Sequence, residues 1–137
     1  MSRIISTEGP GKIRNQHRRT IAEALRRLSL KQQLDDEVKD LAALIVFCLH
    51  RIADTVEQTT EAWDKRDYYL KADRFREGWR WVEPLADQLS AVIYEGRWEA
   101  LPDVLVQLMP HFADVTVKQM TRKPSLWKGA YEKFMQD

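Results

Sequence analysis

The chain has 137 residues, 44% of them hydrophobic and 31% charged, with 22 Lys and Arg against 21 Asp and Glu. That apolar content is enough for a core and excludes intrinsic disorder, while a net charge of +1 is not the strongly basic signature common among nucleic-acid modules. The longest unbroken apolar run, Leu41 to Leu49, falls short of the roughly 20 residues of a bilayer span. Met1 to Ser6 carries no signal-peptide core, and the lone Cys48 excludes an intrachain disulfide and a Cys-rich zinc site, so a cytoplasmic protein with no membrane contact is expected.

In chain order, Gly9, Pro10, Gly11 and Lys12 come first. Ile13 follows the lysine and no strand precedes the glycines, so this is no Walker loop; it reads as a turn, with residues 1–12 as an extended or flexible arm. Ile13, Ile21, Ala24, Leu25 and Leu28 predict a short amphipathic helix, and Thr20 with Glu23 has the form of a capping box. From Leu34, apolar or small residues recur at Val38, Leu41, Ile45, Cys48, Ile52 and onward to Trp63 in alternating steps of four and three. This predicts one long helix, with Ser29 and Gln32 as a capping box and Asp35, Asp36 and Glu37 near the positive end of its dipole. Around Ala42 to Leu49 every face is apolar, so neighbours must enclose it.

A second long helix is predicted over residues 67–95, with Tyr68, Ala72, Phe75, Trp79, Val82 and Leu89 on one core stripe and Leu70, Trp81, Leu85 and Val92 on another side. Pro84 must kink or divide it, and Gly96 stops it. The short Asp64 to Asp67 link folds the two helices into an antiparallel hairpin, unless they fuse into one rod. Pro102, Pro110 and Pro124 then cut the chain into helical pieces near 103–109, 111–121 and 125–135. The expected fold is a single all-α domain over 1–137: a bundle built on the hairpin, with the basic N-terminal helix laid against it and short C-terminal helices closing it.

Charge is distributed unevenly, with +6 over residues 1–31 and −5 over the rest. One reading makes Lys12, Arg14, Arg18, Arg19, Arg26 and Arg27 phosphate contacts for nucleic acid; the competing one has the acidic helix over 35–64 neutralise them. Residues 65–81 interleave aromatic and basic side chains, but the helical phase sends Tyr68, Phe75 and Trp79 into the core. Tyr69 and Trp81 are out of phase and, with Trp63, form a candidate protein interface. His50, Asp54, Glu57 and Glu61 line one side of the long helix opposite its apolar stripe, which reads as a solvated face rather than a metal site, and no Glu-x-x-His occurs. His17 and His111 stand alone, and no nucleophile elbow is present. The expectation is a non-enzymatic helical-bundle protein without cofactor or metal, working through protein contacts as a homodimer that buries Trp63, Tyr69 and Trp81. The alternatives are a nucleic-acid-binding protein using the basic helix, and a helical-bundle enzyme or ligand carrier.

Overall fold

The computed structural model describes residues 8–136, and among them the chain is helical without strands. Six α-helices follow in order: α1 (Pro10–Ser29), α2 (Asp36–Asp64), α3 (Tyr69–Gly78), α4 (Val82–Glu95), α5 (Leu101–Leu108) and α6 (Ala130–Met135). Short 3-10 turns at Trp98–Ala100, Met109–Phe112 and Pro124–Leu126 join the later pieces.

Helix α1 begins at Pro10, not after the expected turn, because proline's fixed φ and missing N–H suit a first helical position. Residues 1–7 of the expected arm lie outside the described residues. Neither capping-box pattern caps a helix. Thr20 lies inside α1, its hydroxyl donating to Gln16 O, and Ser29 ends that helix. The cap of α2 is Asp35, whose carboxylate accepts from Val38 N at 2.9 Å, with Asp36 and Glu37 in the first turn as the dipole argument requires.

Helix α2 is the axis of the molecule: Leu41, Ala42, Ala43, Ile45 and Val46 are fully buried, enclosed where α1, α4 and α6 pack on it. Burial on every face is why this stretch lacks a polar stripe. After α2 the chain turns through Lys65–Tyr68, with Asp67 at φ +65° and Tyr68 N donating to Trp63 O at 2.9 Å. Helices α3 and α4 then pack back on α2.

The expected helix over 67–95 is divided. Pro84 has no N–H to bond to Arg80 O, so the ladder breaks just before it. The amides of Trp79 and Arg80 turn to the carbonyls of Arg76 and Glu77, Val82 N reaches Trp79 O, and α4 resumes at Leu85 N to Trp81 O. Gly96 stops α4 at φ +65°, a left-handed conformation that a glycine adopts without strain.

Beyond Phe112 a second expectation fails. Residues 113–123 are irregular rather than helical, and α6 covers only Ala130–Met135. The carbonyls of Thr116, Val117 and Gln119 accept from arginines of α1, and the amides of Thr121 and Arg122 go to Glu23. Backbone groups satisfied from outside have no need of a helix ladder. This strap lies along α1, after which Trp127, Ala130 and Phe134 are buried as α6 closes on α2. No helix of the described residues is long and apolar enough to cross a membrane.

Candidate functional site

The structure places each basic residue of α1 against a partner in the same chain. Lys12 stands 3.7 Å from Glu8. Arg14 is 8% exposed, donates to the hydroxyls of Thr55 and Thr59 at 3.3 Å, and lies over the rings of Phe75 and Trp79. Burial lowers its pKa. Arg18 grips Asp114 with two hydrogen bonds of 2.6 and 3.1 Å and reaches His111 O. Arg19 bonds Glu23, Thr116 O and Gln119 O, and Arg26 donates to Val117 O. Arg27 pairs with Glu37 and covers Trp127. The acidic face of α2 is therefore not the general counterweight to α1, as the sequence suggested. Among the described residues, Glu37, in the first turn, is the only carboxylate of α2 that meets the basic segment, at Arg27 and Lys31; Arg14 reaches the hydroxyls of Thr55 and Thr59 instead, and the strap takes most of the rest.

Glu23 anchors the strap. Only 1% exposed, it accepts from Thr121 N at 2.7 Å, Arg122 N at 2.8 Å, Arg19 Nε at 2.7 Å and the Thr121 hydroxyl. Burial alone would raise its pKa, but these donors together pull it down to about 2. Arg122 adds bonds to Thr20 Oγ1 and Gln16 O. Nearby His17 is held below its usual pKa by burial and by the charges of Arg51 and Arg122.

The three candidate interface residues are spread along the α2–α4 path. Trp63 is half-buried, its ring edge-on to Phe75 at 5.1 Å with Lys71 Nζ 4.4 Å above it. Trp81 is also half-buried: it stacks on His111 at 3.8 Å with the ring planes 8° apart and meets Phe112 edge-on. Tyr69 is exposed, its hydroxyl donating to Asp67. Beside it stand Tyr68, which the helical phase had assigned to the core, and Leu70; both are exposed because the turn at Asp67 resets the phase. Sequence reasoning passed over these two neighbours for that reason.

A further feature missed in the sequence is the groove between α2 and the α3–α4 break, about 710 Å³ in volume. Ala53, Val56, Trp79 and Val82 line it together with Glu57, Glu61, Glu77 and Glu83. The solvated face foreseen on α2 does carry exposed His50, Asp54, Glu57 and Glu61, but locating a groove there required knowing where the second helix divides. Among the described residues no three His, Cys, Asp or Glu side chains come together to hold a metal ion. Burial pushes the Cys48 thiol up to about 12, so at neutral pH it carries almost no thiolate to act as a nucleophile. Compared with known proteins, the chain matches no family model, no curated protein and no solved structure.

Proposed function

We propose that this is a non-enzymatic helical-bundle protein that works through protein contacts, self-associating through the tip of the antiparallel hairpin that α2 forms with α3 and α4. The observation that carries the reading is the run Tyr68, Tyr69 and Leu70, exposed by 51%, 58% and 64% at that tip, beside Lys71 and Arg74. Consecutive exposed aromatic and aliphatic side chains next to bases have the composition of an interface core, and a two-fold axis would double the patch against itself. Trp63 supports the tip from beneath. Trp81, stacked inward on His111, gives up its expected share of the contact to Tyr68 and Leu70.

Light scattering tests this on the full chain. The wild type is expected at the mass of a dimer at both low and high salt, because an apolar contact responds weakly to screening. The double variant Tyr69→Ser, Leu70→Asp is expected at half that mass with its helicity retained. A wild-type monomer, or a variant of unchanged mass, overturns the proposal. Phosphate contact through α1 would need guanidinium groups already bonded within the chain, so a mixed-sequence oligonucleotide should leave the mass unchanged.

A further inference from the structure

Where α3 and α4 part, Trp79 and Val82 join Ala53 and Val56 to floor the 710 Å³ groove against the C-terminal half of α2. Its rims are acidic, with Glu57 and Glu61 contributed by α2, Glu77 by α3 and Glu83 by α4. Two arginines also line it, but both are committed: Arg76 to Asp64 at 2.5 Å and Asp73 at 3.1 Å, Arg80 to Glu77 at 2.9 Å. Among the described residues, the carboxylates of Glu57, Glu61 and Glu83 have neither an ion pair nor a hydrogen bond. Three unpaired like charges around one apolar floor are a local excess of repulsion that a cationic occupant would relieve.

We propose that this groove docks a basic amphipathic helix of a partner protein. The inference shares with the functional reading above the premise of a protein that works through contacts, but it uses another face. A helix is the form that fits, because the described residues offer no strand edge on which an extended peptide could build a ladder. The α2 positions that line the groove run from Ala53 to Glu61, about 12 Å along the axis, so an incoming helix meets it over roughly two turns. Leucine-like residues three and four apart reach the half-buried Ala53, Val56 and Trp79, and lysine or arginine on either flank meets the rims. The chain's own basic helix cannot fill this role, since its arginines are bonded elsewhere.

The test uses the full-length protein and a labelled, tryptophan-free Leu/Lys helical peptide, with binding read by fluorescence anisotropy and located by amide chemical shifts. Binding is expected to map to 53–61 and 73–83, to weaken as salt is raised, and to fall at least about tenfold in the exposed double variant Glu57→Lys, Glu61→Lys. Val56→Asp should abolish it, and the charge-reversed pair keeps the test decisive should that core-facing change unfold the chain. Equal binding of a Leu/Glu peptide, displacement by spermine at matched charge, shifts mapping elsewhere, or indifference to the charge reversal each overturn the proposal. The tip variant Tyr69→Ser, Leu70→Asp should bind the peptide as the wild type does. A wild type that is monomeric yet binds the peptide therefore strikes only the hairpin reading, and a wild-type dimer that the tip variant breaks but that does not bind the peptide strikes only this one.

Discussion

Glu23 ties the strap to α1 through Thr121 and Arg122. Its carboxylate holds two backbone amides, a hydroxyl and a guanidinium at the α1–strap seam, and charge-assisted bonds of this kind are the strong ones. The ordinary carboxyl titrates near 4.5 and the native one near 2, so the folded state binds fewer protons across that interval. The resulting stability, about 3 kcal/mol, is complete above pH 5 and is lost as the pH falls from there toward 2. Glu23→Gln should lower stability by about 2 kcal/mol at pH 7, with the urea midpoints of variant and wild type converging toward pH 2. A gap independent of pH would mean that the carboxylate is not the source. In the sequence, Thr20 followed by Glu23 resembled a helix start, because residues that cap helices also accept bonds from a passing loop. Only the strap, 98 positions further on, decides between the two roles.

At the scale of elements, what could be read early was what local spacing determines. The four-and-three periodicity through Leu41, Ile45 and Ile52 marked α2, and Gly96 marked the end of α4. The division at Trp79–Trp81 was half legible, since Pro84 required an interruption without fixing where it would fall. The strap was not legible, because a 3.6-residue pattern over 111–121 says nothing of carbonyls claimed by arginines some ninety positions earlier. The candidate groove and the exposed tip inherit this ignorance, one depending on the break and the other on the turn at Asp67. The break also makes a prediction. Gly78 closes α3 without a left-handed φ, and a Cβ there would meet nothing within 4 Å. Gly78→Ala should therefore stabilise the protein by about 0.5–1 kcal/mol in urea unfolding, through reduced freedom of the unfolded chain. Destabilisation would show that the break needs glycine.

For the whole molecule, the two ends of the described chain form one structure. Arg18, Arg19 and Arg26 have their hydrogen-bond partners in residues 111–119, and Glu23 has its own in 121–122. A chain ending after Phe112 would lose the strap and α6 together, uncovering α2 and leaving the buried Glu23 with Arg19 alone. It should keep much of its helix signal but lose a cooperative urea transition, and a sharp transition of normal slope would show the bundle closing without the strap and α6. Vectorial synthesis meets the same constraint in time. The ribosome delivers α1 well before the strap, so until residues 111–119 emerge Arg18, Arg19 and Arg26 lack those acceptors and face water, ribosomal RNA and whatever else is anionic nearby. Helix α1 thus spends that time as a basic helix without its strap, and the arrival of residues 111–119 ends that phase.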